Sequence, residues 1–257
     1  MIVKAYGDGS SIRGISSMAM FLGTSDAWDG VGQPWREATR DIGCFPFRMT
    51  NFVATEKDRS RRIQALCRLF DVIDNAKLVG SVAVINDAVY GLLPSIVTLR
   101  LGSKYLALAS VAFSQMAKWR IDHMGAEESL LTCVFEQGKE EGQDEFRRIT
   151  RIIADNSELL RSFGIQDIVF EPKGAAGLQM ADMLAWLMTH WVPELHVDDD
   201  DGFSSEAAAL LVRALPIVRR YETREFLLEI ARTNTNENMR EIRARFGLEQ
   251  FFPDQLG

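Results

Sequence analysis

Residues 15 to 22 carry no charge and close on Met18-Ala19-Met20-Phe21-Leu22. A strand with no polar alternation has no face to offer water, so it belongs inside a sheet covered on both sides. The rest of the chain supplies the cover. From residue 56 onward, Ile63, Leu66, Cys67, Phe70, Ile73 and Leu78 recur at helical spacing behind a charged start. Residues 102–123 read as a long alanine-rich helix, and 146–163 as another. Further strands are expected at 1–6, 45–53, 78–85, 130–135 and 167–170. The turn Gly7-Asp8-Gly9-Ser10 ends the first of them, and residues 23–41 read as a polar excursion carrying Trp28 and Trp35. Three hairpin-like strands followed by helix–strand alternation predict an α/β domain with a mixed sheet.

At 257 residues the chain can bury a substantial core. The pattern breaks at residues 193–202, where four aspartates run from Asp198 to Asp201. Residues 1–192 are therefore read as the α/β domain and 193–257 as a helical extension packed on it. Helical segments are expected at about 204–215, 218–232 and 235–246. A net charge of −7 argues against a broad basic surface for nucleic acid, while leaving room for a local basic groove. No run approaches the roughly 18 to 20 apolar residues that cross a bilayer, so no membrane partner is expected. Cys44, Cys67 and Cys133 are few, odd in number and widely spaced. They read as reduced thiols of a cytoplasmic protein, not as a disulfide frame or zinc site.

Chemistry concentrates around residues 174–190. Gly174 and Gly177 suit a tight lead-in to an apolar, small-residue helix, which one carboxylate, Asp182, interrupts. An ionised carboxylate there pairs, binds a cation, faces a cleft or bonds a nearby turn. Asp8 and Glu136 stand at the ends of strand-like runs, where open α/β sheets place their ligand crevice. If the three elements are neighbours, Asp8, Glu136 and Asp182 converge, and an all-oxygen set of that kind suits Mg²⁺ or Mn²⁺. Such a site supports metal-dependent phosphodiester hydrolysis. Lys173 precedes the helix start, where anions are favoured. Gln179, one turn before Asp182, either orients a ligand or caps the helix start, and Glu171 is a further candidate ligand. His123, His190 and His196 lack ligand spacing, and the Arg59, Arg61 and Arg62 group fits a solvated helix face as well as a phosphate contact.

The run Gly177-Leu178-Gln179-Met180-Ala181-Asp182-Met183-Leu184-Ala185 resembles the closing "glQlADlla" motif of the DUF3800 family. Val134-Phe135-Glu136-Gln137-Gly138 is similar to the family's "FE-x-G" strand end, and Tyr6-Gly7-Asp8-Gly9-Ser10 to its opening "DES" turn. Phe47-Arg48-Met49-Thr50-Asn51-Phe52 resembles a degenerate "FHMtdF" segment. The resemblance spans about residues 1–190. It implies a ribonuclease H-like mixed sheet flanked by helices, with Asp8, Glu136 and Asp182 as an acidic catalytic and metal site holding Mg²⁺ or Mn²⁺. A metal-dependent nuclease acting on nucleic acid is the activity it implies, with Arg48, Lys173 and Gln179 on the substrate side. The chain departs from the family at Gly9, Arg48 and Asn51. An Arg beside carboxylates can clamp a phosphate or replace a metal by neutralising the acids directly. Hence the second reading, a catalytically silent binding or interaction module on the same fold.

Overall fold

Strand β1 (Ile2–Ile12) turns back into β2 (Ile15–Thr24) through Arg13 and Gly14, both at positive φ (47° and 82°). Two such residues make the type I′ connection whose twist matches a hairpin. The computed structural model describes residues 2–95, 103–124, 130–137, 144, 147–148, 165–172, 174–190 and 202–221. The hairpin moves the expected turn. Gly7-Asp8-Gly9-Ser10 lies inside β1, pairing with Met20 to Ser17 of β2. Gly7 is a packing glycine: a Cβ there would stand 2.9 Å from the Phe135 ring.

Helix α1 (Ser25–Asp41) follows, with Thr24 capping the Ala27 amide. It buries Trp28, Val31, Trp35 and Thr39. The expected polar excursion is therefore a helix. Its glycines and Pro34 mask it in the sequence, while the 3, 4, 4 spacing of the buried residues forms one continuous stripe. The expected strand at 45–53 is likewise replaced by a loop and the short helix α2 (Met49–Thr55). Helix α3 (Arg59–Asn75), strand β3 (Val79–Asn86), α4 (Asp87–Gly91) and α5 (Lys104–Met124) come next. Strands β4 (Leu130–Glu136) and β5 (Ile165–Glu171), helices α6 (Ala176–His190) and α7 (Phe203–Ala214), and strand β6 (Ile217–Tyr221) complete the described chain.

The six strands form one mixed sheet in the order β5-β4-β1-β2-β3-β6. β1, β2 and β3 make an antiparallel meander; β4 runs parallel to β1, β5 to β4 and β6 to β3. The α/β fold with a mixed sheet between helices is as the pattern predicts. β2 sits centrally and is buried along nearly its whole length. Ala19 and Phe21 join the core under α1, α3, α6 and α7, and Met18, Met20 and Leu22 join the core under α5. After α7, residues 217–221 add a strand where a helix was expected, because Ile217 and Val218 follow Pro216 directly and pair along β3. The expected helix at 146–163 apart from residues 147 and 148, which are helical, the aspartate run and everything past residue 221 lie outside the described residues. Among the described residues no helix is long and apolar enough to cross a membrane.

Candidate functional site

Alternation along β1 decides where Asp8 points. Val3 and Ala5 belong to the α5 side and Tyr6 to the opposite side, so Asp8 shares the face of Tyr6 under α6. Asp8 is 3% exposed, and its Oδ1 accepts from the Gly9 amide at 2.9 Å. In the parallel β1/β4 ladder Gly7 stands opposite Phe135, so the next residues along, Asp8 within β1 and Glu136 at the end of β4, share one face. In β4/β5, Glu136 pairs with Glu171, and the Gln137 amide donates to the Glu171 carbonyl at 2.7 Å. Three acids thus stand on three mutually parallel strands, Asp8 inside β1 and Glu136 and Glu171 at the carboxyl ends of β4 and β5. Tyr6 stands behind them, its hydroxyl pKa raised by burial and then by the charges of Glu171 and Asp29.

Helix α6 crosses this face close to β1. A Cβ on Gly177 would collide with the Tyr6 ring, so only glycine lets the helix start there. Eight residues on, the Ser17 hydroxyl donates to the Ala185 carbonyl at 2.9 Å and is bonded to the Thr189 hydroxyl. Asp182 lies between these anchors. Its Oδ2 accepts from the Met49 amide at 2.9 Å, at the start of α2. The preceding residue, Arg48, reaches in the other direction: its Nη2 stands 3.6 Å from Glu136 Oε1. The Arg48 side chain is 47% exposed and that of Glu136 15%. The first turn of α2 therefore engages two of the three predicted acids, one through an amide and one through a guanidinium.

Gln179 faces inward, 1% exposed. Its Oε1 accepts from Trp35 Nε1 (3.0 Å) and from the Phe47 amide (2.9 Å), while its Nε2 donates to the Gly174 carbonyl (3.1 Å). It caps the start of α6 and ties α1 and the 42–48 loop to it. Lys173 and Gly138 lie outside the described residues. Asn51 is exposed on α2. His190 stacks on Trp186 at 3.6 Å and bonds that residue's carbonyl through Nδ1, so it finishes the helix. The loop-to-helix segment carrying Arg48 was legible only as a degenerate motif, and nothing local marked Met49 as the partner of Asp182.

Two of the predicted acids are already engaged from within the chain. Among the described residues no three His, Cys, Asp or Glu side chains group to hold a metal ion. Arg48 already supplies positive charge beside Glu136, and the Met49 amide takes an oxygen of Asp182. Comparison with known families, curated proteins and solved structures finds no match. The site must therefore be judged on its own geometry. Two surface grooves, of about 410 and 450 Å³, lie elsewhere. One is lined by Arg59, Arg61, Gln64 and Glu206, the other by Val31, Pro34 and Val72 between α1 and α3.

Proposed function

We propose that the chain is a DUF3800-like module of ribonuclease H-like fold that binds a partner without cleaving it. The sheet order β5-β4-β1-β2-β3-β6, with β4 and β5 parallel to β1 beside an antiparallel β1-β2-β3 meander, is compatible with a ribonuclease H-like sheet and supports that reading. The observation that carries the function is Arg48, 3.6 Å from Glu136 while the neighbouring amide holds Asp182. Internal positive charge neutralises acids that would otherwise repel one another. Half-exposed, Arg48 remains able to meet a phosphate of nucleic acid from the solvent side. The three free thiols, Cys44, Cys67 and Cys133, support a reducing, cytoplasmic setting.

One observation favours the alternative, a metal-dependent nuclease: Asp8 and Glu136 do come level on adjacent strands beneath α6. A single titration separates the two. Mn²⁺ added to the wild-type protein should give no saturable heat, and labelled single-stranded, duplex and hybrid oligonucleotides should remain intact. In Arg48→Ala the uncovered acids should acquire Mn²⁺ affinity, since hard cations settle on one or two carboxylates with water completing the shell. Saturable Mn²⁺ binding with cleavage by the wild type, both lost in Asp182→Asn, would establish the nuclease instead. A failure of Arg48→Ala to gain affinity would remove the neutralising role given to Arg48.

A further inference from the structure

Between α1 and α2 the chain turns some side chains into the core and others out to water. Gly43, at φ 70°, ends α1: its amide returns to the Arg40 carbonyl and the Cys44 amide to the Thr39 carbonyl, each at 2.9 Å. Gln179 then holds the Phe47 amide and Asp182 the Met49 amide, each at 2.9 Å. Cys44, Phe47 and Met49 are buried, whereas Phe45 and Arg48 are exposed. The backbone is thus pinned from below, and it displays the Phe45 side chain with the residue 45% exposed. A ring held in this way is ordered before anything meets it, which lowers the cost of stacking on it. Its surroundings are cationic. The Arg40 guanidinium lies over the Phe45 ring, 5.0 Å from the centroid. Arg36, also exposed, stands one turn before Arg40 on the same side of α1. Residues 36–62 hold seven basic and four acidic side chains in a chain whose net charge is −7. This segment is positive against an acidic whole.

We propose that Phe45, Arg40 and Arg48 form a binding site for single-stranded nucleic acid, with a base stacked on the ring and a neighbouring phosphate on Arg48. The inference rests on the reading that Arg48 meets a phosphate, and it names the kind of strand that carries it. Arg40 covers one face of the ring, and a base on the other completes a cation–ring–base stack. A duplex offers no such base, because its base faces are already stacked on one another. Stacking asks for no particular base, so sequence preference is small. Arg48 does not have to leave its acid. A guanidinium carries donors enough to keep Glu136 and meet a phosphate together.

Fluorescence anisotropy of the full chain tests this, with labelled oligo(dT) and oligo(U) of about 15 nucleotides at several salt concentrations. Either strand should bind, and oligo(dT) should bind on the order of tenfold tighter than its duplex with oligo(dA). Phe45→Leu keeps an apolar side chain but removes the ring. It should weaken binding on the order of tenfold and leave the slope of log affinity against log salt unchanged, since no phosphate contact is lost. Phe45→Trp should keep or raise the affinity. Arg48→Ala should instead reduce that slope by about 0.7, the share of one phosphate on a single strand. Wild-type affinity in Phe45→Leu would overturn the stacking role, and so would equal binding of the duplex. An unchanged slope in Arg48→Ala would remove the phosphate contact. Absence of binding by every strand would overturn the site altogether. The Mn²⁺ and cleavage measurements on the wild type would still decide between silent module and nuclease, so either idea can fail without the other.

Discussion

At the scale of single residues, burial sorts the three thiols. Cys133 on β4 is fully enclosed beneath α5, and burial pushes its pKa up from 9.0 to about 12, against a smaller opposing pull from Arg120. Cys67 on α3 is partly exposed; its pKa is raised by burial and then by Asp71 and Glu206. A disulfide reagent at neutral pH should therefore modify Cys67 first, and Cys133 only at the rate of unfolding. The sign of the pH effect follows. A thiol whose folded pKa lies above its unfolded value favours folding below pH 9.0, and that contribution disappears as the pH climbs toward about 12. Cys133→Ala should flatten the loss of stability over that window in urea titrations. Native Cys133 reacting as fast as Cys67 would contradict the assigned burial. Asp182 shows how far residue type can be read from sequence. A lone carboxylate in an apolar helix demanded a partner, and it has one. That the partner would be a backbone amide 133 positions upstream was beyond any local signal.

At the scale of elements, the strongly periodic segments were legible and the composite ones were not. α3, α5, α6 and the strands β2 and β3 lie close to where periodicity places them, because each buries its own stripe or its own two faces. α1 escaped because Gly30, Gly32 and Pro34 weaken its helix propensity. Packing of Trp28, Val31 and Trp35 outweighs them. α2 escaped because Phe45, Phe47 and Met49 alternate like a strand, although Phe45 is exposed while the other two are buried. What shapes that segment is Gln179, whose single carbonyl oxygen holds both the Trp35 indole and the Phe47 amide. Gln179→Leu keeps the volume and strands both donors in the core. Each orphaned buried donor costs about 1 to 3 kcal/mol, so urea denaturation should show a loss of roughly 2 to 6 kcal/mol. The Trp35 fluorescence environment should change with it. A loss under about 0.5 kcal/mol, the range of ordinary surface substitutions, would mean that Gln179 does not organise this corner.

At the scale of the molecule, the layered α/β plan followed from one doubly buried strand, and the role of the tail did not. The composition break at 193–202 suggested an appended helical cap. In the structure β6 pairs with β3 through five register positions, and Gly80 leaves room for Ile217 against it. α7 packs between α3 and α6 and buries Phe203, Ala207, Ala208 and Leu211 in the same core as Phe21 and Leu184. The signal missed was the short β-branched step after Pro216, too brief to stand out against the helical pattern before it. A chain ending at residue 192 should therefore lose part of its main core and not merely an ornament. It would leave the β3 edge unpaired and Trp186 without Phe203, a combination that invites edge-to-edge association. Size-exclusion chromatography should find it aggregated, with its near-ultraviolet dichroism flattened relative to the full chain. A soluble monomer retaining the full chain's melting transition would show instead that the core under α6 closes without the last strand.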